Sequence, residues 1–131
     1  MKYLTYNDPD WTYTNYNYDN LGKDSQWGAE TLNAVNPDLS LFRKRGGKLI
    51  IYSGWPDNAA PGLAFVGYYE EVLAHNKTAV EDVRLFMMPG VEHCFGGAGP
   101  SFVSFLTKID QWVKSGAAPE QVVAYWLDGK I

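Results

Sequence analysis

The sequence predicts an α/β fold with two or three parallel strands and flanking helices. Three observations carry this. Leu49-Ile50-Ile51-Tyr52 and Val83-Arg84-Leu85-Phe86-Met87-Met88 are short apolar runs, as expected of strands buried on both faces. The stretch between them, Pro61 to about His75, has helical apolar spacing, and strand–helix–strand alternation argues a parallel sheet with helices on its faces. Each run also leads into a loop bearing a chemically interesting side chain, Asp57 in the first and His93 in the second.

The elements follow in order. Residues 1–28 are rich in Tyr, Asn, Asp and Trp without a sustained period, and are expected to be irregular, with a short helix near Asp24 to Leu32. From residue 36 on the signals sharpen; the organisation expected is a segment 1–32 followed by 33–131. Asn36-Pro37-Asp38 offers an N-cap, a proline at the first helical position and an acid in the first turn. Arg43-Lys44-Arg45-Gly46-Gly47 supplies cations and then glycine, so a helix is expected from Pro37 to about Arg45. In the Pro61–His75 helix, Phe65, Val66, Tyr69, Val72 and Leu73 share the apolar face. Ser101 to Ser115 carries Phe102, Phe105, Leu106, Ile109, Trp112 and Val113 at offsets of three and four, and Gly116 closes it. Val122 to Leu127 is a candidate final strand. So few parallel strands leave an open edge, which implies that part of the fold is missing or supplied by a partner.

Composition excludes several function classes. At 131 residues the chain is one domain at most. It is 46% hydrophobic and 20% charged, ordinary for a globular protein, with a net charge of −4 and no basic stripe, so no nucleic-acid partner is expected. No apolar run is long enough to span a membrane, and the N-terminus lacks the apolar region of a signal peptide. Nine tyrosines and five tryptophans mean that large flat side chains are being packed or bound. One cysteine permits no internal disulfide.

Asp57, in a loop stiffened by Pro56, is placed to orient an imidazole and stabilise its cation. The alternative is a turn or N-cap aspartate ahead of the next helix, which position alone favours. His93 follows the second strand and precedes a glycine-rich loop, a place for a general base; the alternative is a solvated loop histidine. His75, at a helix end, is expected to be a dipole partner or surface residue. Cys94 has three readings: a nucleophile beside His93, a metal ligand without company at ligand spacing, or half of a disulfide to another segment. The chain order Asp then His is the rear of a Ser…Asp…His triad, yet no Gly-x-Ser-x-Gly turn is present. Ser53 has no glycine two residues before it. Ser101 fits better as a helix N-cap.

These residues resemble a known family. Gly46-Gly47-Lys48-Leu49-Ile50-Ile51-Tyr52-Ser53-Gly54-Trp55-Pro56-Asp57 is similar to the aspartate segment of the tannase/feruloyl esterase family. Arg84-Leu85-Phe86-Met87-Met88-Pro89-Gly90-Val91-Glu92-His93-Cys94-Phe95-Gly96-Gly97-Ala98-Gly99-Pro100 is similar to its histidine segment. Asn36-Pro37-Asp38-Leu39-Ser40 and Gln111-Trp112-Val113-Lys114-Ser115-Gly116-Ala117-Ala118-Pro119-Glu120 also look like it. Residues 1–32 resemble, less specifically, the return from the family's lid to the hydrolase core.

The resemblance implies the C-terminal part of an α/β-hydrolase fold, from a serine esterase that cleaves phenolic esters. Asp57 and His93 would be the triad acid and base. Cys94 would bond a cysteine beside the nucleophilic serine, in a segment this chain does not contain. The complete enzyme would be secreted or periplasmic. The family's lid calcium site is not covered, so no cofactor is expected in this chain, and the partners are the ester and the missing N-terminal portion. Without serine and oxyanion donors the chain alone is expected to be inactive. The competing reading is a non-catalytic module whose aromatic segment binds a phenolic or sugar face or a partner protein.

Overall fold

The computed structural model describes residues 1–126. The chain divides into two compact units, Met1–Val35 and Asn36–Ile131. In the first, helix α1 runs over Leu21–Leu32, starting earlier than the expected Asp24. A short 3-10 turn over Tyr18–Asn20 leads straight into it, with the Asn17 side chain accepting the Asp19 N–H. The aromatic residues ahead of it pack on one another. Tyr6 stacks on Trp11 with ring centroids 5.0 Å apart, and Trp11 meets Tyr16 edge-on. The Tyr6 hydroxyl donates to the Asp24 carboxylate, which with desolvation pushes the phenol up to about 12.

In the second unit, helix α2 spans Ser40–Lys44, three residues shorter at its start than expected. The Asn36 and Asp38 carboxyl or amide oxygens each accept the backbone N–H two residues on, at 3.0 and 2.9 Å. These side-chain turns hold residues 36–39 outside the helix. Strand β1 (Leu49–Gly54) pairs in parallel with β2 (Val83–Met88), from Leu49 opposite Val83 to Gly54 opposite Met88. Helix α3 (Gly62–His75) connects them, followed by a 3-10 turn over Lys77–Glu81.

Side-chain alternation puts the helices on opposite faces of the sheet. Leu49 and Ile51 pack into the core of Val72, Ala79 and Val83 on the α3 side. Tyr68 joins that core, a residue the expected apolar face left out, and its hydroxyl donates to the Asn36 carbonyl at 3.1 Å. On the other face Tyr52 stacks on Phe105 of helix α4 (Phe105–Ser115), centroids 4.2 Å apart.

The strands are not buried on both faces as expected. Leu49, Ile50 and Ile51 are half-buried and Tyr52 is exposed, because two strands with one helix on each face cover neither face fully. Along α4 only Trp112 is fully enclosed, while Leu106 and Val113 of the same stripe face out. The expected helix start at Ser101 is also corrected. Phe102 exchanges two backbone hydrogen bonds with Tyr125, at 3.2 and 2.8 Å, so residues 101–104 stay outside the helix and Ser104 takes the N-cap position. The candidate strand from Val122 to Leu127 contributes only that antiparallel bridge among the described residues, and Leu127 lies outside them. The sheet therefore has two strands among the described residues, not three.

Candidate active site

Both loops leave the carboxyl ends of the parallel strands, the edge where open α/β sheets gather their chemistry. The first continues from Gly54. Trp55 donates its N–H to the Met88 carbonyl at 3.1 Å, so strand pairing runs one residue past β1 before Pro56 turns the chain. Asp57 follows. One of its oxygens, Oδ1, accepts the backbone N–H groups of Ala59 and Ala60 at 2.8 and 2.9 Å. The N-cap position of α3 belongs to Pro61, so Asp57 closes a turn and does not cap the helix.

The second loop folds back on itself. Val91 pairs antiparallel with Gly97, the Gly99 N–H reaches the Gly90 carbonyl at 2.8 Å, and Glu92 donates to Gly96. His93 lies at the tip of this narrow hairpin. A three-residue turn follows it: Phe95 donates to the His93 carbonyl at 2.8 Å, with Cys94 between them at φ +64°. A non-glycine residue in that conformation is uncommon and concentrates where surrounding structure imposes it.

The two loops meet through the two residues singled out in the sequence. His93 Nδ1 lies 2.9 Å from Asp57 Oδ2 and 3.2 Å from Oδ1. Asp57 thus closes its own turn through Oδ1 and lies within hydrogen-bond distance of the imidazole, most closely through Oδ2. The Ala60 N–H, opposed by desolvation and helped by Ala59 and then His93, holds the Asp57 carboxyl below the usual aspartate range. An ionised carboxylate accepts only, so the His93 proton it receives is on Nδ1. In the neutral ring that arrangement leaves the lone pair on Nε2.

The other candidates stand apart from this pair. Ser53 is buried, and its hydroxyl makes one long contact to the Gly54 carbonyl at 3.4 Å. Ser101 is in the non-helical segment before α4. Neither hydroxyl is bonded to His93 among the described residues. His75 lies 3.6 Å from Asp38 at the far end of α3, as a surface residue. Cys94 is an exposed free thiol. Among the described residues no three His, Cys, Asp or Glu side chains gather as a metal site, and no helix is long and apolar enough to cross a membrane.

One feature of the junction escaped the sequence reading. A Cβ at Gly54 would stand 1.9 Å from the Val91 carbonyl oxygen. Only glycine allows the end of β1 to lie so close to the start of the histidine hairpin. The signal in the sequence was Gly54 itself, at the end of an apolar strand and three residues before Asp57.

Comparison with known proteins bears on the family and the fold. The family model for tannase and feruloyl esterase matches residues 3–129. Mono(2-hydroxyethyl) terephthalate hydrolase of Piscinibacter sakaiensis is 39% identical over 104 residues, 79% of this chain and 17% of that protein. Feruloyl esterase B of Aspergillus niger is 28% identical over 137 residues, 91% of this chain and 26% of that protein. The crystal structure of feruloyl esterase B from Aspergillus oryzae superposes with a TM-score of 0.85 at 25% identity, covering 99% of this chain and 29% of that one. The chain thus spans about a quarter or less of the curated relatives it matches. Its two parallel strands and flanking helices are part of the α/β-hydrolase fold those structures share. The chain belongs to the tannase and feruloyl esterase family of ester hydrolases.

Proposed function

We propose that this chain supplies the acid and base of a serine carboxylic ester hydrolase that acts on phenolic esters. What supports the reading is the Asp57–His93 hydrogen bond, 2.9 Å long between residues 36 apart in sequence, at the carboxyl edge of the sheet. His93 Nε2 takes the proton of a serine hydroxyl as its oxygen attacks the ester carbonyl. The Asp57 carboxylate stabilises the resulting imidazolium, which then protonates the departing alkoxide and leaves an acyl-enzyme. Water activated by the same imidazole hydrolyses that intermediate. The nucleophile and the oxyanion donors come from the part of the family's length that this chain does not span, and residues 1–32 are the return from the lid to that core.

The aromatic acyl group in the names of the relatives, feruloyl in one and terephthalate in another, points to an aromatic acyl ester here. Cys94 is the partner of a cysteine beside the serine. That bond would tie the nucleophile and histidine loops together and would persist in a secreted or periplasmic enzyme.

Complementation tests this. The 131-residue chain alone is expected to leave methyl ferulate untouched. Co-expressed with the serine-bearing part of a feruloyl esterase, it is expected to give activity that His93→Ala abolishes and a mixed disulfide that Cys94→Ser prevents. Hydrolysis by the chain alone, lost in His93→Ala, would show that the nucleophile is here after all. A stable active complex indifferent to His93→Ala would remove the proposal.

A further inference from the structure

We propose that Gly54 is a positioning residue: its missing side chain sets the distance between the aspartate and histidine loops. The inference rests on Asp57 and His93 acting as a pair. Gly54 is enclosed on both sides. Toward the histidine hairpin, a Cβ would be 1.9 Å from the Val91 oxygen, 2.7 Å from its carbonyl carbon and 2.9 Å from the Glu92 oxygen. All three are backbone atoms, so no side chain can rotate away. On the other side the start of α3 closes in, since a Cβ on Gly62 would already be 3.2 Å from the Gly54 carbonyl oxygen. Gly54 also cannot slide along the sheet, because it pairs with Met88 and Trp55 donates to the Met88 carbonyl.

Only the Val91–Glu92 backbone is left to yield. Real Cβ contacts are essentially never under 3.0 Å, so the shift from 1.9 Å is about 1 Å. His93 is two residues beyond Val91 and carries the shift directly. A 2.9 Å hydrogen bond opened by about 1 Å passes the limit at which an N–H···O contact still counts as one.

The tautomer of His93 reads this out without any catalysis. Bound to Asp57, the neutral ring carries its proton on Nδ1; a free neutral imidazole in water favours Nε2. With only two histidines in the chain, long-range nitrogen–proton NMR spectra at about pH 9, where an ordinary histidine is neutral, resolve each ring. The 131-residue chain is expected to show the Nδ1–H form at His93. Asp57→Ala is expected to lose it. Gly54→Ala is expected to lose it too, with a folded amide spectrum and unchanged His75 signals. Gly67→Ala, where the space is open, is expected to leave it intact.

A folded Gly54→Ala chain that kept the Nδ1–H form would overturn the positioning role and leave the pair standing. An unfolded Gly54→Ala chain would overturn it as well, since the glycine would then serve the fold and not the pair. If Asp57→Ala kept the wild-type signature, the pairing itself would fall and the inference with it.

Discussion

The Asp57 carboxylate is almost enclosed, whereas the His93 imidazole that it holds is open: their side chains are 6% and 55% exposed. The anion is fixed by two backbone N–H groups before the imidazole reaches it. An orienting group benefits from that immobility, because its dipoles need not reorganise when the imidazolium forms. The base benefits from the opposite, since Nε2 has to meet a group from elsewhere. The asymmetry gives each residue a distinct expected phenotype. In the complemented enzyme, His93→Ala should reduce kcat for methyl ferulate about 10³–10⁴-fold or more by removing the base. Asp57→Asn should cost a similar factor by releasing the wrong tautomer. KM should move little in either variant, because neither group binds the ester in its ground state. A large rise in KM with kcat intact would assign the pair to substrate binding instead.

The same backbone N–H groups set the acid limit of the pair. The Ala60 N–H, against desolvation and together with Ala59 and His93, holds the Asp57 carboxyl below the usual aspartate range. A depressed acid lends its stabilisation above the ordinary value of about 3.9 and loses it only as pH falls through the lowered native value. Carbon NMR of the Asp57 carboxyl should therefore show it more than half ionised at about pH 4, where an ordinary aspartate is half protonated. Titration at or above that point would mean that the turn around Ala59 and Ala60 does not hold in solution.

A second carboxylate ties the other end of the strands. Asp82 accepts from Arg43 Nε at 2.7 Å and from the Lys48 ammonium, with all three side chains mostly covered. Desolvation opposes its ionisation, but the hydrogen bonds and charges of Lys48 and Arg43 outweigh it and leave the Asp82 carboxyl lowered. Arg43 also donates to the Thr78 carbonyl at 2.8 Å, so one guanidinium joins α2 to the turn before β2. Asp82→Ala leaves two cations without their anion and should destabilise the chain by about 1–2 kcal/mol at neutral pH, the partial exposure keeping it below a fully buried pair. The loss should shrink on acidification below about pH 4, as the wild type forfeits the same stabilisation. Urea unfolding of both chains across that range measures it; a pH-independent difference would assign the loss to packing.

Much of this was legible in the residues, and the exceptions have a common cause. The strands at Leu49 and Val83 announced themselves as uninterrupted apolar runs, and α3 by its spacing, because those signals are local. Asp57 and His93 were legible as loop residues beyond strands and, in the order Asp then His, as a candidate pair; the backbone contact at Gly54 and Val91 that brings their loops together was not. Where the reading erred, a competing backbone interaction won. Asn36 and Asp38 each accept the backbone N–H two residues on, in turns that precede the helix. The apolar period over Phe102 continued past the point where its backbone pairs with Tyr125. Side-chain period reports which face is apolar and carries no information about a bridge formed over 20 residues away in sequence.

Trp112 offers a test of packing on α4. Its indole is fully enclosed, with Lys48 Nζ and the Arg84 guanidinium each 5.6 Å from the ring centroid. Its Nε1 has no hydrogen-bond partner among the described residues. A buried unpartnered N–H carries a desolvation penalty of about 1–3 kcal/mol. Trp112→Phe removes that penalty, and gives up some ring area and part of a cation–π attraction worth about 0.5–1 kcal/mol for each cation. The terms nearly cancel, so Trp112→Phe should lie within about 1 kcal/mol of the wild type. Trp112→Ala, which empties the site, should cost about 3–5 kcal/mol. Urea midpoints of the three chains decide it: a Phe variant as unstable as the Ala variant would mean that the indole N–H has a partner in solution and is not a burden on the fold.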